Sequence, residues 1–186
     1  MEVLVLLSGG IDSAACLTFY KQLGHKVSAL FIDYGQPVRE QEERCASAIA
    51  AHYKIPFTII RSVGPETNYV GCEIAGRNAF LVFAALLFRP IQVGIIALGI
   101  HHGTSYYDCS DSFAEDLNRI ISGYTSGQVT VGTPFLKWDK QMVYQYAGQA
   151  NIPLELTWSC EVGPSAPCGQ CLSCRDRERL NVRASI

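Results

Sequence analysis

The chain has 186 residues, 48% of them hydrophobic and 17% charged, and 15 basic against 17 acidic residues leave a formal net charge of −2. That length suits one domain of ordinary size; the composition excludes a disordered or fibrous chain, and the charge balance excludes the bulk positive field of a general nucleic-acid binder. The apolar stretches break well short of the roughly 20 residues a membrane helix needs, and Met1-Glu2-Val3-Leu4-Val5 has no basic leader, so the reading is a cytoplasmic protein with no membrane partner.

Strand and helix alternate along the chain. Glu2 to Leu7 is a Val- and Leu-rich run that suits a buried parallel strand. Ser8-Gly9-Gly10 breaks it, and Asp12 or Ser13 can cap a helix reaching Leu23, with Gly24 as its stop. Lys26 to Ile32 reads as a second strand, Asp33 to Pro37 as a turn, and the following residues to Tyr53 as a helix with Ala46, Ile49 and Ala50 on one face. Ile55 to Ile60 is a third strand. Arg61 to Ala75, with Gly64, Pro65, Asn68 and Gly71, reads as a loop. Gly76-Arg77-Asn78 opens an apolar helix that ends near Arg89-Pro90. Val93 to Leu98 is the fourth strand, Gly99 to Asp111 a long polar loop and Ser112 to Ser122 a helix. A short strand at Val129 to Val131 and a helix from Asp139 to Gly148 precede a tail that begins after Pro153.

This alternation with short links predicts an α/β fold, a mostly parallel sheet covered by helices on both faces. Ligands of such sheets bind beyond the carboxyl ends of the strands. That rule places Ser8–Ser13, Asp33–Gln36 and Gly99–Asp111 on one edge, with Arg77 and Lys140 near them. In Leu7-Ser8-Gly9-Gly10-Ile11-Asp12-Ser13-Ala14, two glycines let the backbone turn and approach a ligand closely. The amides there and the helix N-terminus make an anion site, and Ser8 and Ser13 add hydroxyls. The plainer reading is a tight strand–helix turn capped by Asp12 or Ser13. Neither the common NTPase loop nor Gly-x-Gly-x-x-Gly is present.

Eight cysteines are many for such a chain. Cys16, Cys45, Cys72 and Cys109 are scattered, whereas Cys160, Cys168, Cys171 and Cys174 crowd together. In a reducing compartment that spacing points to a metal rather than to disulfides. Four thiolates suit Zn²⁺ in a closed, structural tetrahedron. An iron–sulfur cluster is the rival, because Cys-x-x-Cys-x-x-Cys occurs there too. Gly169 eases the knuckle, and Pro164 and Pro167 stiffen the returning loop. Cys109 reads as a packed thiol before a nucleophile.

Ser-Gly-Gly-x-Asp-Ser after an N-terminal strand resembles the pyrophosphatase loop of ATP-dependent adenylating enzymes. With the Cys…Cys-Gly-x-Cys-x-x-Cys-Arg cluster, the chain resembles the 7-cyano-7-deazaguanine synthase family over nearly its whole length. Gly76-Arg77-Asn78, Tyr107-Asp108-Cys109, Pro134-Phe135-Leu136 with Lys140, and Thr157-Trp158-Ser159-Cys160 carry the likeness. The resemblance implies a three-layer α/β/α, Rossmann-like fold of the adenine nucleotide alpha hydrolase-like type. It further implies an ATP-binding unit over residues 1–153 and a zinc-binding segment over 154–186. Leu7, Ser8, Gly9, Gly10, Ile11, Asp12, Ser13 and Ala14 would hold the phosphates of ATP. Asp33, Tyr34 and Gln36 would form the adenosine side. Asp12 would orient Mg²⁺ or cap its helix, Arg77 and Lys140 would meet phosphate or carboxylate, and Asp108 would contact the substrate. The implied reaction is adenylation of the carboxylate of 7-carboxy-7-deazaguanine, attack by ammonia, and dehydration to the nitrile.

The chain departs from the family pattern around the pocket. The segment Ser62 to Ala75 is short, His101-His102 replaces an acidic residue, Tyr107 a proline and Ser110 an arginine. These changes keep open a relative that couples the carboxylate to another amine, such as a protein acceptor. A tRNA-modifying enzyme with the same loop and a nucleotide-binding module without catalysis are the remaining alternatives. Arg177, Arg179 and Arg183 read as a charged helix end that packs in a homodimer.

Overall fold

A computed structural model describes residues 1–62, 74–103, 106–163 and 165–179. Five parallel strands form one sheet in the order β3-β2-β1-β4-β5. They are β1 (Glu2–Leu6), β2 (Lys26–Asp33), β3 (Phe57–Arg61), β4 (Val93–Ala97) and β5 (Thr130–Gly132). The helices are α1 (Ile11–Gln22), α2 (Arg39–His52), α3 (Arg77–Phe88), α4 (Asp111–Thr125), α5 (Lys140–Gln149) and α6 (Leu172–Arg179). The expected α/β alternation is present throughout.

The pleat explains why the central strand is apolar at every position after Glu2. Val3, Val5 and Leu7 join one core with α1, α2 and α5, while Leu4 and Leu6 join the other with α3 and α4. Central β1 pairs on both sides, Val5 opposite Ala29 on β2 and Ala97 on β4. Chain order reverses between β1 and β4, the switch point at which such sheets open a crevice beyond their carboxyl ends. The loops after β1 and β4 flank that crevice.

Three expectations need correction. Neither Asp12 nor Ser13 caps α1: the N-cap is Gly10, with no side-chain hydrogen bond, and both residues lie inside the first turn. The polar loop after β4 holds a 3-10 turn at Tyr107–Cys109, and the tail holds another at Leu154–Leu156. Arg177 is not a charged helix end open to a second subunit. It is buried in its own chain, where its guanidinium donates to Thr157 O at 3.2 Å, Leu154 O at 2.8 Å and Ser159 Oγ at 3.1 Å. Most of the loop after β3, as well as Cys72, Pro164 and Arg183, lies outside the described residues.

Candidate active site and metal centre

The loop after β1 is held in shape by its own hydroxyls. Ser8 Oγ donates to Ser13 Oγ at 3.2 Å, Ser13 Oγ donates to Gly10 O at 2.9 Å, and Gly10 N donates to Ser8 Oγ at 3.4 Å. Gly9 has a φ of +82°, and a Cβ there would meet Glu42 O at 2.5 Å. Left-handed backbone and close approach together leave only glycine at this position. The bend runs straight into α1, whose first amides no side chain caps. Uncapped amides carrying the positive end of the helix dipole form an anion cradle.

Asp12, one residue into α1, is turned toward α5. Its Oδ2 accepts from Lys140 Nζ at 2.5 Å, and His101 Nε2 stands 3.8 Å away. Its Oδ1 is buried without a hydrogen-bond partner among the described residues. A half-satisfied buried carboxylate is costly unless something completes it. The orphaned oxygen therefore fits a divalent cation, which takes hard carboxylate ligands. His101 follows β4 through Gly99, where a Cβ would sit 2.5 Å from Asp12 O. Burial foremost lowers the His101 pKa below the usual imidazole value, against the opposing pull of Asp12.

The turn after β2 is braced by its own side chains and by α2. Asp33 Oδ1 accepts from Gly35 N at 3.0 Å. Buried Gln36 accepts from Tyr34 N at 2.9 Å and donates to Ile32 O at 3.3 Å and Glu42 Oε2 at 2.9 Å. Burial raises the Glu42 pKa to about 7, against the opposing effects of the Gln36 hydrogen bond and the Arg77 charge. Nothing in the sequence pattern marks Glu42, yet it backs the glycine bend.

Two other motifs are joined to each other. Asn78, buried at the start of α3, donates from Nδ2 to Asp108 O at 3.2 Å, tying Gly76-Arg77-Asn78 to Tyr107-Asp108-Cys109. Asp108 is buried. Among the described residues no hydrogen bond or ion pair links Arg77 or Asp108 to Asp12; the charge of Arg77 instead acts on Glu42, behind the glycine bend. Of the residues that depart from the family pattern, Ser110 caps α4 through Phe113 N at 3.2 Å, and Tyr107 donates to Asp116 Oδ2 at 3.0 Å.

The sulfurs of Cys160, Cys168, Cys171 and Cys174 lie within 4.8 Å of one another. Backbone amides point at them: Gly163 N and Cys168 N donate to Cys160 Sγ at 3.1 and 3.3 Å. Cys171 N donates to Cys168 Sγ at 3.3 Å and Cys174 N to Cys171 Sγ at 3.4 Å. Gly169, at a φ of +68°, turns the knuckle that brings these amides round. Amide donors favour thiolate over thiol, and those of Gln170 and Cys171 are the main reason the Cys168 pKa falls to about 6. Four converging sulfurs with amide support fit a closed tetrahedral metal such as zinc. The tail is fastened to the glycine bend directly, because Trp158 N donates to Gly9 O at 2.9 Å.

No helix among the described residues is long and apolar enough to cross a membrane. The fold resembles a crystal structure from Methanocaldococcus jannaschii described as a predicted tRNA methyltransferase subunit. The TM-score is 0.54 at 17% identity, over 80% of this chain and 74% of that one. A 7-cyano-7-deazaguanine synthase of Prochlorococcus marinus (strain MIT 9312) is 30% identical over 205 residues, 95% of this chain and 91% of the relative. One from Methanospirillum hungatei is 30% identical over 95% of this chain and 93% of its own length. The family model for the queuosine biosynthesis protein QueC matches residues 2–69 and 65–181, two pieces that overlap at residues 65–69. With glycine bend, paired aspartate and four-cysteine tail all inside that match, the chain belongs to the QueC family.

Proposed function

We propose that this protein is an ATP-dependent enzyme that adenylates the carboxylate of 7-carboxy-7-deazaguanine and converts it with ammonia to the nitrile. The single observation that carries this reading is Asp12, held by Lys140 through one oxygen and left with a buried, unpartnered second oxygen at the uncapped start of α1. A phosphate cradle with a cation ligand and a lysine beside it suits the splitting of ATP between its α and β phosphates.

A carboxylate is a poor electrophile, and its oxygen gains a good leaving group by attacking the α phosphorus as pyrophosphate departs. Ammonia then adds to the acyl carbon and AMP leaves, giving the amide and a proton. Activation of the amide oxygen by a second ATP, followed by loss of AMP and a proton, leaves the nitrile. The amides and hydroxyls of Ser8, Gly9, Gly10 and Ser13 hold the departing pyrophosphate. Lys140 supplies positive charge beside it. Asp12 would hold Mg²⁺, which when bound neutralises phosphate charge. The Asp33–Gln36 turn flanks the adenosine, Arg77 meets the substrate carboxylate, and Asp108 meets the base. Zinc held by Cys160, Cys168, Cys171 and Cys174 is structural, pinning residues 154–179 against the bend.

The test is pyrophosphate release with 7-carboxy-7-deazaguanine, ATP and ammonium, read beside the product mass. A nitrile together with pyrophosphate supports the proposal. Pyrophosphate with an adduct on a protein amine would move the acceptor, and no pyrophosphate from the metal-replete protein would overturn the adenylation itself.

A further inference from the structure

Lys140 is the first residue of α5, at the positive end of the helix dipole, where a cation is disfavoured. Its stem is long and flexible and its side chain is 22% exposed, so a single contact leaves its direction loosely set. The ammonium has a second neighbour besides Asp12. Tyr144 stands one turn further along α5, and Lys140 Nζ lies over its ring, 5.5 Å from the centroid. Helical side chains lean toward the N-terminus, so the residue at i+4 covers the residue at i. The negative face of a phenol ring attracts an ammonium placed there.

Tyr144 is itself held in place. It is buried, its hydroxyl meets the Ser159 side chain, and Ser159 Oγ accepts from Arg177 Nη1 at 3.1 Å. Burial foremost, and then the charge of Asp12, push the Tyr144 pKa up to about 12, so the ring stays a neutral phenol near neutral pH. Asp12 is a poor sole anchor for Lys140. If its free oxygen takes a divalent cation, as the reading above has it, that cation repels the ammonium on the other oxygen. The attraction of the ring is independent of Asp12 and persists.

We propose that Tyr144 is a positioning residue for the reaction proposed above: its ring face keeps the Lys140 ammonium beside the anion cradle when a cation engages Asp12. The test is calorimetric binding of inorganic pyrophosphate with Mg²⁺ to the full, metal-replete chain. Tyr144→Phe keeps the ring and serves as the reference. A trifluorinated phenylalanine at the same position has nearly the same shape, but its ring face is stripped of negative charge. It should bind pyrophosphate about fivefold more weakly than Tyr144→Phe. Adding Lys140→Met to both should abolish that difference, because Tyr144 acts through Lys140. A purely structural ring would show neither effect. Equal affinities of the two ring variants, or a difference that survives Lys140→Met, would overturn the proposal. A parent chain that binds no pyrophosphate would overturn it together with the reading of the glycine bend. The fluorine effect in a protein that binds pyrophosphate yet releases none from ATP would support the role of Tyr144 and sink the adenylation alone.

Discussion

Asp12 meets Lys140 across 128 residues of sequence, whereas the four sulfurs come from the one stretch 160–174. The first constellation exists only when β1, β4 and α5 are all in place, because the sheet itself brings its members together. The second is nearly local: one positive-φ glycine and a few amide–sulfur bonds shape it, and a bound metal would supply the energy its small core lacks. The Trp158–Gly9 hydrogen bond joins the two. A cluster assembled from afar is thus backed by a locally built tail, and the two should fail differently when damaged.

The largest effect should come from the tail. Cys171→Ser, or a strong chelator, should strip the metal and unfold the tail, since structural zinc contributes on the order of 10 kcal/mol to small four-ligand sites. Metal analysis and hydrogen exchange over residues 154–179 check this. If the tail keeps its protection without metal, it is not metal-built. Asp12→Asn is the converse case. It should lower pyrophosphate release by about 100-fold or more with the tail and its metal intact. Loss of metal in that variant would erase the distinction between the two regions.

A smaller effect isolates what fastens the tail. Arg177→Met removes three hydrogen bonds from a buried guanidinium and should destabilise the fold by about 2–4 kcal/mol in a denaturant titration, with metal still bound. The smallest concerns Glu42, which backs the bend. Its carboxyl keeps its proton to about pH 7 when folded but releases it near 4.5 when unfolded. Between those values the folded form binds more protons, so this group's contribution to stability declines as pH rises. Glu42→Gln should therefore match the parent near pH 4 and exceed it by about 1 kcal/mol at pH 8, after allowance for solvent screening. Equal stabilities at both pH values would show the carboxyl to be unperturbed.

The same contrast governs what the amino-acid sequence makes legible. The central strands β1 and β4 announce themselves as short apolar runs, because both faces of a parallel sheet are covered. The cysteine spacing is a local signal, and the cluster's geometry follows from it. Asp12, Lys140 and His101 each stand out by residue type and position, but nothing local says that α5 returns to α1. Asp12 does not cap its helix because it lies inside the first turn, from where its carboxylate meets Lys140. Arg177 looks like part of a solvated helix end because its sequence neighbours are charged. Its carbonyl acceptors, Thr157 and Leu154, lie 20 and 23 residues upstream, beyond the reach of any local pattern.

Gly99 constrains how this molecule can vary. Any side chain there would collide with the first turn of α1, because even a methyl carbon would lie 2.5 Å from Asp12 O. The loop that begins with Ile100 must therefore spring from an immovable hinge. Downstream of it His101 is set 3.8 Å from Asp12, so a change in the first residues of the loop would reach the Asp12–Lys140 pair as well.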